Sequence, residues 1–331
     1  MKKSASSMCS ALRWAVAVAV LGFGSLMNVD ASYAQRVYPA KPITLIVPFA
    51  AGGGTDIGTR VVAKVAEKHL GKPFVVQNVD GGGSEVGVVQ MVRSAPDGYT
   101  IAGFNSASVI LTTMRKASYD AVKDISPICM VVSDPRLFVV RPDDKRFNTA
   151  QDFIKYAKDN PDKLTIGTSG AGTSGHLSIV IMNKKMGVKA KPVHFGGAGE
   201  SKAAFLGGHI DALTQTYGEV LGMLKDGKAK VIAAATEKRL KELPNVPTYK
   251  EIGINLVIDS NRGFAAPKGT PKEVIDKLAD AFKKASTDPE YLKQMEKLGL
   301  PAKYAGPAEW AKLIKDEFDE YSLVVKDLNV K

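Results

Sequence analysis

The 331-residue chain is short of cysteine, of histidine and of long apolar runs, and each shortage removes a class of function. Of its two cysteines, Cys9 lies near the start and Cys129 stands alone in the rest, so no internal disulfide is expected and stability must come from a buried core. Cys129 sits in Ile128-Cys129-Met130-Val131-Val132, the pattern of a buried strand, which reads as an inert core thiol rather than a nucleophile. His69, His176, His194 and His209 lack the spacing of a metal site, so neither a metal nor a cofactor is expected. The basic residues spread along helical faces such as 272–284 without interleaved aromatics, which argues against a nucleic-acid partner. Only Trp14–Met27 is apolar enough to matter for a membrane, so a helical membrane bundle is excluded.

What is present begins with an export signal. Lys2, Lys3 and Arg13 precede the apolar run, and Ser32-Tyr33-Ala34 gives a small-x-small cleavage site, so residues 1–34 are expected to be removed. Without the three basic residues and one acid of that leader, the formal charge falls from +11 to +9 and still favours anionic partners. The length suits two domains.

Three segments repeat one pattern. Ile43-Thr44-Leu45-Ile46-Val47 reads as a buried parallel strand and runs into Pro48-Phe49-Ala50-Ala51-Gly52-Gly53-Gly54-Thr55-Asp56. A helix follows, capped by Thr55 or Asp56, with Ile57, Val61, Val62, Val65, Ala66 and Leu70 on its apolar face and Gly71 as its stop. Phe74-Val75-Val76-Gln77-Asn78 leads likewise into Gly81-Gly82-Gly83-Ser84, and Leu164-Thr165-Ile166 into Gly167–Gly175 with a helix from about His176 to Lys185. Free amides at a helix start, with the positive end of its dipole, favour a negative group, and glycine lets the backbone come close to it. The hydroxyls of Thr55, Ser84, Ser169, Thr173 and Ser174 add donors. Three such loops in one α/β chain indicate a cleft that holds anions through neutral groups.

Related motifs fit less well. No loop ends in the Gly-Lys-Ser/Thr of a nucleotide P-loop. Gly170-Ala171-Gly172-Thr173-Ser174-Gly175 matches G-x-G-x-x-G, but Pro192-Val193-His194-Phe195 does not end in the acid that would hold a ribose. Gly167-Thr168-Ser169-Gly170-Ala171 misses the G-x-S-x-G elbow of a serine hydrolase by its last glycine, which leaves a Ser169 hydrolase as the competing class.

Further along, Val139-Val140 with the turn Arg141-Pro142-Asp143-Asp144 marks the expected crossing into a second lobe, and 259–267 a return. This gives lobes of residues 35–139 with 261–331 and of residues 140–260, the C-terminal helices packing on one or both. Thr270-Pro271-Lys272-Glu273 predicts a capping box, and Trp310, Leu313, Ile314, Phe318, Tyr321 and Val325 form a last amphipathic helix.

The sequence resembles the periplasmic solute-binding receptors of tripartite tricarboxylate transporters, the Bug receptors, over essentially all of the chain after the leader. The resemblance rests on Tyr38–Ile43, Val47–Asp56, Ala95-Pro96-Asp97-Gly98-Tyr99-Thr100, Gly167–Leu177, Leu206–Asp211, Leu243–Thr248 and Ala266–Pro271 in order and spacing. It implies an α/β two-lobed periplasmic binding fold of type II-like form, each lobe a mixed, mainly parallel sheet flanked by helices. It further implies a monomer that closes over a small organic carboxylate and hands it to a membrane permease. A membrane histidine kinase is the alternative partner. By the same resemblance, Phe49, Gly53, Gly54, Thr55 and Asp56 hold one carboxylate through backbone groups and water, and Gly82, Gly83, Ser84 and Ser106 line the same lobe. Ser169, Gly172, Thr173 and Ser174 face the far end. Where such receptors often carry Pro-Tyr-Lys-Gly, this chain has His194-Phe195-Gly196-Gly197, so His194 or Arg262 is expected to supply any charge there.

Overall fold

Each strand–glycine loop–helix unit read from the sequence is realised in the computed structural model, which describes residues 38–255 and 257–328. The first part runs β1 (Ile43–Val47), α1 (Gly54–Leu70), β2 (Phe74–Asn78), a 3-10 turn (Gly82–Ser84), α2 (Glu85–Val92), β3 (Thr100–Asn105) and α3 (Ser106–Met114). The long β4 (Ile125–Val140) follows. Then come α4 (Ala150–Asp159), β5 (Thr165–Thr168), α5 (Ser174–Met186), β6 (Lys191–His194), α6 (Ala198–Leu206), β7 (Ala212–Thr216), α7 (Tyr217–Lys225) and β8 (Lys230–Ala234). The chain returns through β9 (Asp259–Pro267), α8 (Lys272–Ser286), α9 (Pro289–Leu298) and β10 (Ala302–Ala305), and ends on α10 (Pro307–Leu328).

The strands form a two-lobed α/β arrangement around a shared strand. In one lobe β2, β1 and β3 are parallel, β9 joins antiparallel to β3, and β4 lies antiparallel to β9 with β10 also on it. In the other, β6, β5 and β7 are parallel, and β4 pairs antiparallel with both β7 and β8. β4 changes partners along its length: up to Pro135 it is in register with β9, and from Arg136 with β7.

Beyond that change, β4 alternates as a strand must. Phe138 and Val140 join a core with Phe153, Ile166 and Tyr249, while Leu137 and Val139 join another with Phe205, Leu213 and Val220. Burying such a side chain contributes roughly 1.5–3 kcal/mol, which is why a strand with two buried faces reads as a continuous apolar run. Cys129 is fully buried in the same strand. α10 packs on α3 and β4 and also touches α5 of the other lobe.

Three local expectations change. The N-cap of α1 is Gly53, not Thr55 or Asp56, because the Asp56 carboxylate reaches back to the Gly52 N–H and draws Gly54 and Thr55 into the helix. Ile57 lies in that first turn, 36% exposed, rather than on the buried face. The capping box at Thr270 does not form: Thr270 Oγ1 donates to the Pro267 carbonyl, and Pro271 becomes the N-cap of α8. Thr149, by contrast, forms a capping box with Asp152 at α4.

Candidate ligand site at two glycine-loop helix starts

α1 opens with amides that no group among the described residues uses. Ile57 N–H donates to the Gly53 carbonyl and Gly52 N–H to Asp56, but the N–H groups of Gly53, Gly54, Thr55 and Asp56 make no hydrogen bond among the described residues. No side chain caps this helix. Phe49 lies half-buried at the end of the preceding strand, and its carbonyl accepts from Asn78 Nδ2 at 3.0 Å.

Asp56 does not offer its carboxylate to a ligand; it clamps the loop. It is 4% exposed and accepts from Gly52 N at 2.9 Å, Asn78 Nδ2 at 2.9 Å and Arg60 Nε at 2.8 Å. Burial alone would raise its pKa, but these donors together hold it below the ordinary 3.8, so it stays ionised.

The next two hydroxyls are spent internally. In the second loop Gly82 and Gly83 have φ of +61° and +70°, and Ser84, buried at φ +97°, bonds Ser108 Oγ at 2.9 Å. Ser106, at the first position of α3, donates to Glu317 Oε1 at 2.8 Å and accepts from Asn261 N at 3.0 Å. Glu317 also accepts from Asn261 Nδ2 at 2.7 Å, and burial pushes its carboxyl up to about 7. Asp80, just before this loop, is exposed and accepts from the Gly81 N–H.

α5 in the second lobe is built on a different support. Thr173 is its N-cap, accepting from His176 N at 3.4 Å and donating to the Gly170 carbonyl at 2.8 Å. Gly172 N–H donates to His176 Nδ1 at 3.2 Å, which puts the ring proton on Nε2. The Ser174 and Gly175 N–H groups make no hydrogen bond among the described residues. His176 packs edge-on against His194 at 4.5 Å, and burial, with a smaller push from His194, lowers it to about 4. Burial lowers His194 too, so both rings are neutral near pH 7. Burial thus works against a positive charge on His194. Its Nδ1 bonds Thr168 Oγ1 at 3.0 Å, and Ser169 has no histidine hydrogen bond among the described residues, so no nucleophile–base pair is assembled there.

The two helix starts meet buried charge at the shared strand. Arg262 lies beside α1, its Nη2 3.8 Å from where a Cβ on Gly54 would stand, and its Nη1 pairs with Asp134 Oδ2 at 3.3 Å. Asp134, fully buried, also accepts from Gly218 N at 3.2 Å; burial raises its pKa and the Arg262 charge counters this. A cavity of about 10 Å³, one water's worth, lies among Thr55, Thr59, Asn105 and Arg262. Arg262 is thus a buried, paired residue rather than a surface one. Arg136, which the sequence reading passed over, lies at α5: it is 4% exposed, with Nη2 donating to Ser174 Oγ at 2.7 Å and Nη1 to the Thr214 carbonyl at 3.0 Å. The signal for it was a Ser-Asp-Pro-Arg interruption inside an otherwise apolar strand. Elsewhere the lobes touch directly, a Cβ on Gly172 falling 3.8 Å from Met114 Sδ.

A cavity of about 780 Å³ lies among Ser133, Pro135, Tyr217, Leu221, Asp259 and Lys303, and none of the candidate ligand residues lines it. Asp259, whose carboxyl burial pushes up, lines it together with Lys225 and Lys303.

Residues 59–330 match the family described as tripartite tricarboxylate transporter family receptor. A UPF0065 protein of Cupriavidus necator is 35% identical, the match covering 96% of this chain and 95% of that protein. A ligand-free TctC solute binding protein from Polaromonas has a similar structure, with a TM-score of 0.75 at 31% identity, covering 88% of this chain and 99% of the other. MatC of Rhodopseudomonas palustris, solved with bound malate, gives 0.78 at 26% identity over 87% of this chain and all of that one, 100%.

Proposed function

The chain belongs to the tripartite tricarboxylate transporter receptor family, and on that premise we propose that it captures a small organic di- or tricarboxylate between its lobes and delivers it to a membrane permease. One observation carries this reading. Two helices that start at glycine loops in different lobes, α1 and α5, keep their first amides free of any partner among the described residues, and free amides at a helix start are an anion site. The structure of MatC with malate supports a carboxylate as the anion.

In this reading Gly53, Gly54, Thr55 and the Asp56 amide hold the near carboxylate, with Phe49 walling the site and the Asp56 side chain keeping the loop in shape. Ser169, Thr173 and Ser174 meet the far end, Gly172 serving as a bend pinned by His176. Gly82 and Gly83 supply backbone, while Ser84 and Ser106 support the loops from within. The lobes in this reading are residues 35–139 with 261–331 and residues 140–260, the backbone near Val139 and Ser260 absorbing opening and closing; the change of partners along β4 at Pro135–Arg136 supports a crossing in this stretch. The protein acts as an exported monomer without catalysis. The leader itself lies outside the described residues, and among the described residues no helix is long and apolar enough to cross a membrane.

Isothermal titration and thermal-shift screening against C4–C6 carboxylates and aromatic acids test this. A ligand at a hundred times its Kd should stabilise the protein by about 2.7 kcal/mol. No stabilisation by any organic anion would overturn the proposal.

A further inference from the structure

Arg136 is a buried guanidinium that no carboxylate among the described residues pairs with. It lies on β4 opposite Thr216, is 4% exposed, and its Nε has no hydrogen-bond partner. Its other nitrogens bond an uncharged carbonyl, Thr214, and an uncharged hydroxyl, Ser174. Among the described residues it forms no ion pair, whereas Arg262 has Asp134.

Its position compounds the imbalance. Nη1 lies 3.2 Å from where a Cβ on Gly175 would stand, so the guanidinium packs tightly against the first turn of α5. That turn is the positive end of the helix, and its Ser174 and Gly175 amides are open. A cation buried against a positive helix end is disfavoured until an anion arrives. The groups around it do not cancel it. Glu219 and Asp134 act on it only from a distance, Glu219 being held by the Thr216 N–H and Asp134 by Arg262 and Gly218. The Tyr249 and Tyr321 phenols beside it are driven further from ionisation by burial, and His176 and His194 are neutral near pH 7.

We propose that Arg136 is the residue that makes the second-lobe helix start select a second carboxylate, so that the ligand is a dianion reaching from the Gly53–Asp56 amides to those of Ser174 and Gly175. Arg136 acts through Ser174. Because Ser174 Oγ accepts from the guanidinium, its own hydroxyl proton is left to donate, and the charge-assisted bond polarises it toward an incoming anion. Arg136 is thus a positioning residue for specificity. The proposal rests on the receptor reading above and adds to it which end of the ligand must be charged, and by what.

The test compares succinate with its monoamide, succinamate, which has the same length and one charge fewer, by isothermal titration. Wild-type protein should bind succinate at least about tenfold more tightly, the size of one hydrogen bond to a charged group. Arg136→Met should remove that preference by weakening succinate alone, Arg136→Lys should retain part of it, and Ser174→Ala should reduce it. Equal wild-type affinity for the two ligands, or an Arg136→Met variant that weakens both alike, overturns the proposal and leaves the receptor reading standing. If Arg136→Met does not fold, Ser174→Ala decides, an unchanged preference counting against the proposal. Binding of neither these nor any other organic anion overturns the receptor reading and this proposal with it.

Discussion

The helix starts of α1 and α5 follow the same local recipe and differ in what stands behind them. At α1 the nearby charges are closed on one another: Asp56 with Arg60, and Arg262 with Asp134. The helix has no side-chain cap, and four amides are open. At α5 a threonine caps the start, a neutral histidine pins the loop, and the guanidinium behind it is unpaired. Similar glycine loops thus stand on closed ion pairs at one helix start and on an unpaired guanidinium at the other.

The largest effect should come from opening the closed pair. Asp134→Ala leaves Arg262 buried and alone and removes the acceptor of Gly218 N–H, and should destabilise the fold by roughly 3–5 kcal/mol in urea unfolding. Adding Arg262→Met should recover much of that loss, since a buried pair removed whole costs far less than one removed by half. If the two single losses simply add, the pairing described for the first lobe is not what stabilises it.

The pH dependence of stability separates two acids of the first lobe by sign. Asp56 is held below its ordinary 3.8, so it contributes stability that is full above that value and is lost as pH falls through its lower folded value. Glu317 is raised from 4.5 to about 7, so stability should fall as pH rises between those values, the folded state holding the proton more tightly than the unfolded one. Asp56→Asn should flatten only the acid limb of the stability profile, at a cost of roughly 1–3 kcal/mol at neutral pH. Glu317→Gln should flatten only the limb approaching pH 7. A profile unchanged by either substitution would refute the assignment of that limb.

The likeness of the two starts was legible in the sequence, and the contrast behind them was not, for a physical reason. Strand–glycine–helix order and the receptor-like motifs are local patterns, so the loops, the two-lobed α/β fold and the start of α5 followed from adjacent residues. Hydrogen-bond occupancy is not local. Nothing near Ser84 or Ser106 in sequence shows that their hydroxyls face Ser108 and Glu317, and Arg262 finds its counter-ion on a strand laid down much earlier in the chain. Asp134 and Arg136 were visible as charges inside a buried strand, which is itself a signal of function or pairing, but their apolar context drew attention to the core.

A smaller effect probes the capped start alone. Thr173→Ala removes the side-chain acceptor of His176 N–H and the bond to the Gly170 carbonyl, and should cost about 1 kcal/mol in thermal unfolding. The same measurement on Thr55→Ala should show little change, because the Thr55 hydroxyl has no hydrogen bond among the described residues. Equal losses in the two variants would mean that the two starts are supported alike.

The smallest effect on stability should carry the sharpest information about binding. Gly53 is the N-cap of α1, extended at φ −76° and ψ 164°, exposed, and a Cβ there would meet nothing nearer than the Ala50 carbonyl oxygen at 3.7 Å. Gly53→Ser therefore fits, and a serine at an N-cap is worth only a few tenths of a kcal/mol more than glycine. Yet its hydroxyl would accept from the Thr55 or Asp56 N–H, the amides assigned to the ligand's near carboxylate. The variant should be as stable as wild type or slightly more so, and should bind carboxylates more weakly. A serine that stabilises the helix and leaves affinity untouched would show that the open amides of α1 are a solvated helix end and that the ligand is held elsewhere.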